Sequence, residues 1–194
     1  MNKNILSAMD TIENLAVIVL GGRKSGKSHT WNTMFDRTVK TGTKLHQLDI
    51  SGERIDVFLV SGSPEERKKH VGDIIIDIFL VSGSPEERGL YVDKIITVQK
   101  PRIVLCSVQD IPEASTTFKY FVDKGFFIFI HWLNPGYKQD KKPDSDVNQL
   151  LNLIPQNSFI SHVKNGNDNP QERVQEMKDF IYSWAKRKSL LKSI

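Results

Sequence analysis

The sequence predicts an α/β fold of three layers, αβα, around a mainly parallel sheet of about seven strands with one antiparallel edge hairpin. Three observations predict it. A short unbroken apolar run, LAVIVL at residues 15–20, suits a strand buried on both faces of a sheet, and 126–132 is a second largely apolar strand. Segments with helical apolar spacing alternate with those runs along the chain. The 194 residues, 39% hydrophobic and 26% charged, have the size and composition of one ordinary globular domain spanning 1–194.

Strand one, residues 15–20, is followed by the glycine-rich turn GGRKSGKS at 21–28. A helix over 28–40 comes next, with Trp31, Met34, Phe35 and Thr38 on one side. Residues 44–50 and 54–60 flank Ser51-Gly52-Glu53 as the two strands of a β-hairpin. A tandem duplication begins here. IDVFLVSGSPEER at 55–67 and IDIFLVSGSPEER at 76–88 are identical at 12 of 13 positions, and the whole unit is 21 residues, 55–75 and 76–96. A solenoid needs at least three units to bury a continuous core, so two copies read as a local duplication inside a globular fold. Each copy is a βα unit. A strand (56–60 or 77–81) runs into Ser-Gly-Ser-Pro-Glu-Glu-Arg, where Pro64 or Pro85 suits the first helical turn and the paired glutamates suit its positive end.

Beyond Pro101 the pattern predicts strands over 102–106, 126–132 and 159–163, and helices over 114–124 and 146–154. The last helix starts with Asn169 as N-cap, Pro170 in the first position and Glu172 in the third, and it buries Val174, Met177, Ile181 and Trp184.

Charge and cysteine content exclude several classes. The net charge is +4, and residues 171–194, with six Lys/Arg against three acids, supply most of it. The rest of the chain is close to neutral, which gives no strong nucleic-acid signal. The basic stretch Lys186-Arg187-Lys188 either touches an anionic surface or serves as the favourable cationic end of the helix. Cys106 is the sole cysteine, no apolar run reaches the ~20 residues of a membrane span, and residues 1–14 lack the apolar core of a signal peptide. A reducing cytoplasm is the expected compartment. The five histidines are scattered, so no zinc-ligand spacing is visible and no metal other than Mg²⁺ is expected.

Gly21 to Ser28 matches GxxxxGK[ST] between an apolar strand and a helix, the context of a P-loop. Glycines let successive N–H groups turn inward, the helix N-terminus adds positive potential, Lys27 reaches the β- and γ-phosphates, and Ser28 ligates Mg²⁺. Gly21, Gly22, Arg23, Lys24, Ser25, Gly26 and His29 complete the expected nucleotide-binding stretch. Lys27 and Arg23 are the candidate catalytic groups; Arg23 either supplies a cation in cis or obstructs the attacking water.

With this loop, the hairpin and the alternating units, the chain resembles a Ras-like GTPase of the P-loop family, and GKSHTWNTMF resembles the AIG1-type GTPases through Ser28, Thr30, Asn32 and Thr33. The resemblance implies GTP or ATP as ligand, Mg²⁺ as cofactor and a protein effector as partner. It also implies an Asp-x-x-Gly after the hairpin. Here the glycines are Gly62 and Gly83, and the aspartate positions are Leu59 and Leu80. Neighbouring Ser82, Ser84 or Glu86, or their first-copy equivalents, either substitute or only cap a helix. The base-reading motif of the family is absent after strand 126–132. Trp132 and Asn134 stand there, and Trp132 either stacks on a base or belongs to the core. Ser107-Val108-Gln109-Asp110 is a partial match one strand earlier, or the N-terminal loop of the next helix. Thr41 and Thr43 are candidates for a γ-phosphate-sensing threonine. No water-positioning glutamine follows Gly62 or Gly83.

The Ras-like order 2-3-1-4-5-6 has room for one strand beside strand one, and two near-identical strands compete for it. Placing the second copy as 3′ gives 2-3-3′-1-4-5-6 and brings Gly83 to the phosphate. A duplicated element also invites exchange between chains, so a dimer or swapped oligomer is among the expected assemblies. The expected function is a nucleoside-triphosphate-binding, GTPase-like switch with slow or absent hydrolysis. The alternatives are a small P-loop kinase and a non-hydrolysing, nucleotide-dependent interaction module.

Overall fold

A computed structural model describes residues 3–40, 46–50, 74–96, 101–137 and 149–193. The first copy of the duplication lies outside them apart from its last two residues, as do Thr41, Thr43 and the predicted strand 54–60.

The elements are α1 (Lys3–Thr11), β1 (Asn14–Gly21), α2 (Lys27–Met34), β2 (His46–Asp49), β3 (Ile74–Val81), α3 (Val92–Ile95), β4 (Ile103–Gln109), α4 (Ala114–Asp123), β5 (Phe126–Leu133), β6 (Phe159–Lys164), α5 (Pro170–Arg187) and β7 (Lys192–Ser193). Single 3₁₀ turns occupy Glu86–Arg88 and Leu150–Leu153, the second where a full helix over 146–154 is predicted. The sheet order is β2-β3-β4-β1-β5-β6, with β7 paired to β3. The β3/β4, β4/β1, β1/β5 and β5/β6 pairs are parallel, whereas β2 and β7 run antiparallel to β3.

Alternation along the strands divides the interior in two. Leu15, Val17 and Val19 of β1 face a core with Trp31 and Met34 of α2 and Val174, Met177, Ile181 and Trp184 of α5. Ala16, Ile18 and Leu20 face the opposite core with Val92, Phe118 and Phe121 of α3 and α4. Helices therefore cover both faces of a mostly parallel sheet, in agreement with the predicted αβα layering.

Helix α1 has no counterpart in the sequence reading. It packs Ile5, Ala8 and Met9 into the α2/α5 core. Its Asp10 accepts from Arg187 Nη1 at 2.9 Å, and Lys188 Nζ donates to the Asp10 carbonyl at 2.6 Å, so the cationic end of α5 is engaged by α1. The N-terminus of α5 is as predicted: Asn169 Oδ1 accepts from Gln171 N at 3.0 Å, followed by Pro170.

The predicted order 2-3-3′-1-4-5-6 is corrected at one place: β4 lies between β1 and the strand of the second copy, not on the other side of β1, and β5 takes that other side. The reason is burial. Residues 103–106 and 108 of β4 are 0% exposed, and β4 pairs with β1 along all seven of its residues. β3 carries Asp77 and pairs with β4 only through Phe79, Leu80 and Val81. A strand that carries a half-buried carboxylate is better placed next to the edge. β2 pairs antiparallel with β3, mostly the second copy, in the register His46↔Ile78 to Asp49↔Ile75, and the predicted hairpin strand 54–60 lies outside the described residues. No helix among the described residues is long and apolar enough to cross a membrane.

Candidate functional site

The 21–28 loop joins the C-terminal end of β1 to the N-terminus of α2, between β4 and β5. The chain leaves β1 toward the β3 side of the sheet and later crosses from β4 to β5, so the loop sits at a topological switch point, where open α/β sheets leave a crevice. Glycine is required there on geometric grounds. A Cβ on Gly21 would stand 2.5 Å from Ser25 Oγ, and Gly26 has φ +102°. Lys24 also takes a left-handed conformation, φ 59°.

The loop folds around its own lysine. Lys27 is 6% exposed, and its Nζ donates to Gly21 O and Gly22 O, both at 2.8 Å. Burial lowers its pKa from the ordinary 10.5, opposed by the fields of Glu87, Glu86 and Asp110. Ser25 is 1% exposed and its hydroxyl has no hydrogen-bond partner. Arg23, Lys24, Ser28 and His29 are exposed at the mouth of a cleft of about 680 Å³. Residues 23–29 form one wall, and Glu87 and Gln109 face them.

Three acidic groups lie close to this site, of which Glu86 is among the expected substitutes for the missing switch carboxylate. Asp110 follows β4 directly, and its N–H donates to Gly21 O at 3.2 Å. Glu86 ties the 3₁₀ turn to its neighbours, accepting from Gln109 N at 3.2 Å and from Thr117 Oγ1 at 2.5 Å. Glu87 is free to line the cleft. The visible signal for Asp110 is an acid closing an apolar strand, IVLCSVQD; as a base-reading motif the stretch stands one strand too early, and its place beside the phosphate loop has no local signature.

Gly83 is not part of the cleft wall. A Cβ there would meet the Arg88 guanidinium at 2.6 Å, so the arginine covers it. Its expected position near the phosphate depended on the 3′ strand lying beside strand one. Trp132 is 6% exposed and packs in the core with Phe118 and Phe121, the second of its two readings. Asn134 is 7% exposed, and its backbone N–H donates to Lys164 O at 2.9 Å.

The outer flank of the loop is clamped by two other turns. Tyr137 N donates to Ser25 O at 3.0 Å and Gly166 N to Pro135 O at 2.7 Å. A Cβ on Gly166 would be 2.5 Å from Tyr137 N and 2.7 Å from Ser25 O. Helix α5 holds α2 through Arg173, whose Nε donates to Thr30 Oγ1 at 3.0 Å. On the other side, Trp31 Nε1 donates to Ser107 Oγ at 2.8 Å, and that hydroxyl donates to Ser82 O at 2.8 Å, linking α2, β4 and the end of β3.

The arrangement offers an anion a rigid turn of backbone, a desolvated ammonium and two exposed cations, with carboxylates on the opposite wall. No protein-family model matches the chain, and the search of curated proteins found no significant match.

Proposed function

We propose that the protein binds a nucleoside triphosphate, GTP or ATP, at the 21–28 loop as a P-loop NTPase-type domain and acts as a nucleotide-dependent switch. The observation that carries this reading is Lys27: its ammonium is held inside the loop by Gly21 O and Gly22 O, where an incoming phosphate exchanges weak carbonyl contacts for charge-assisted bonds. The N-terminus of α2, and the glycines that keep side chains out of the turn, support the same anion.

The residues also fit Mg²⁺. Ser28 offers a hydroxyl at the cleft mouth, and Asp110 and Glu87 supply the carboxylate that Leu59 and Leu80 do not. The ion, when bound, would neutralise charge on the phosphate oxygens. Arg23 adds a second cation beside the site. Ser84, and not a glutamine, follows Gly83, which supports slow hydrolysis. Glu87 supports a second reading, a phosphotransferase, because a carboxylate across the cleft from the lysine suits an acceptor hydroxyl.

Isothermal titration with GTP, ATP and their diphosphates, with and without Mg²⁺, tests the binding reading. Binding is expected to be Mg²⁺-dependent and to weaken by about 100-fold or more in Lys27→Ala, comparable to losing a charge-assisted contact of about 3 kcal/mol. Affinity unchanged in Lys27→Ala would remove the site from this loop. Phosphate release measured with and without small hydroxyl acceptors separates the switch from the phosphotransferase.

A further inference from the structure

On the opposite flank from Glu87, β5, β6 and α5 bring together three side chains that the nucleotide reading does not use. His131 and His162 are cross-strand partners in the β5/β6 register, their rings 5.7 Å apart and 17° from parallel. Glu176, on α5, lies over both: Oε1 is 2.5 Å from His162 Nδ1 and Oε2 is 3.6 Å from His131 Nε2. One ligand atom from each residue falls within 4.8 Å of the others.

We propose that His131, His162 and Glu176 form a binding site for a zinc-class divalent ion, which pins α5 to the β5–β6 side of the sheet and keeps a fourth position for water. The inference does not rest on the nucleotide reading.

The independent observation is His131. It is 0% exposed, and neither ring nitrogen has a hydrogen-bond partner. An imidazole buried with both nitrogens unpaired forfeits its hydration, a cost of roughly 1–3 kcal/mol that native structures seldom leave uncompensated. A metal bond would compensate it.

Two imidazoles and one carboxylate are a known donor set for zinc, and imidazole discriminates against Mg²⁺. A tetrahedral centre with bonds of about 2.0–2.1 Å separates its ligand atoms by about 3.3 Å, so the widest of the three separations, within 4.8 Å, closes by up to about 1.5 Å while the His162–Glu176 contact opens. Glu176 and His162 are partly exposed and lie on the rim of an adjoining cavity of about 460 Å³, which gives an ion a path in and a water a place to stand.

Two cations stand nearby. Arg173 is committed to Thr30 and to the Asp168 carbonyl. Lys164 is the competitor: its Nζ lies 2.5 Å from Glu176 Oε2, where it does for the carboxylate what the ion would do. At 33% exposure it can swing into solvent when an ion arrives.

The test is zinc titration of the full chain against a chromophoric chelator, with Co²⁺ added in parallel for its visible absorption and Tm recorded in each state. Wild type is expected to take up one zinc with micromolar or tighter affinity, to give the intense visible band of four-coordinate Co²⁺, and to gain Tm with zinc. His162→Ala and Glu176→Gln should each weaken binding at least tenfold and abolish the band. Lys164→Met removes no ligand and should tighten binding. His29→Ala should leave it unchanged, and millimolar Mg²⁺ should not compete. No uptake by wild type overturns the proposal. So does uptake that survives both His162→Ala and Glu176→Gln, or affinity that fails to rise in Lys164→Met.

Discussion

In the 21–28 loop the buried charge is a cation, Lys27, and its partners are the backbone carbonyls of Gly21 and Gly22. On the flank of β5, β6 and α5 the charge is the Glu176 carboxylate, and its partners are the side chains of Lys164 and His162. Backbone partners do not depend on which side chains surround them; they depend on the turn, and the turn is set by glycines within eight consecutive residues. Side-chain partners from three elements depend on strand register and on where a helix docks. The loop should therefore fail through backbone changes and the flank through packing changes, and each class of change should leave the other region standing.

The sharpest way to break that contrast is at Gly166, where the flank presses on the loop. Gly166→Ala pushes a methyl group against backbone atoms of Tyr137 and Ser25, which cannot rotate away. The expected cost is about 2–3 kcal/mol. At about 2–4 °C per kcal/mol for a chain of this size, thermal unfolding should show a clear fall in Tm. A Tm within a degree of wild type would mean that the two regions are not mechanically joined.

Trp31→Phe acts from the other side. It removes the indole donor to Ser107 while keeping an aromatic ring in the core, and should cost about 1–2 kcal/mol in chemical denaturation. The double substitution Trp31→Phe/Ser107→Ala should cost less than the sum of the two singles, since both act on one hydrogen bond.

Lys27→Met sharpens the comparison through pH. Burial holds the ammonium below its ordinary 10.5, so between the folded pKa and 10.5 the unfolded chain binds more protons than the folded one. Stability then rises with pH across that window. Lys27→Met should flatten that rise and, without ligand, should stabilise neutral-pH protein by about 1 kcal/mol, because a buried charge is replaced by an apolar chain of similar length. A stability–pH curve identical to wild type would show that the lysine is effectively solvated in the folded state.

The smallest expected effect comes from the largest excision. Removing residues 55–75 brings Ile78 21 places nearer to His46; if the observed β2/β3 register is kept, a two-residue Ser51-Gly52 turn joins the strands. The 173-residue chain should fold with a Tm within a few degrees of wild type, judged by thermal unfolding and circular dichroism. Loss of cooperative unfolding would show that the first copy is part of the core.

The contrast between loop and flank also explains what could be read from the sequence. The loop is a contiguous pattern between a buried strand and a helix, with Gly21 ending β1, Gly26 left-handed and Lys27 opening α2. The cap at Asn169 and Pro170 was legible for the same local reason. Sheet order was not. Two copies of one strand carry the same hydrophobic pattern, and nothing within ten residues of Phe79 says whether β1 or β4 is its neighbour. Asp110 reads locally only as part of an incomplete base-recognition motif one strand too early; its contact with Gly21 comes from the pairing of β4 with β1. His131, His162 and Glu176 are spread over 46 positions and meet only through the β5/β6 register and the docking of α5. Scattered histidines gave no spacing to recognise.

Cys106 lies in the middle of β4, 0% exposed, with β1 on one side and β3 on the other. Burial pushes its thiol pKa well up, so the reactive thiolate is suppressed as long as the sheet is closed. Because it is the chain's single cysteine, a thiol reagent can report on one place alone. Its labelling rate counts the openings that part the centre of the sheet and is blind to fraying at β2 or β6. The sequence thus carries its own clock for whether a ligand in the cleft steadies the heart of the fold or only its rim.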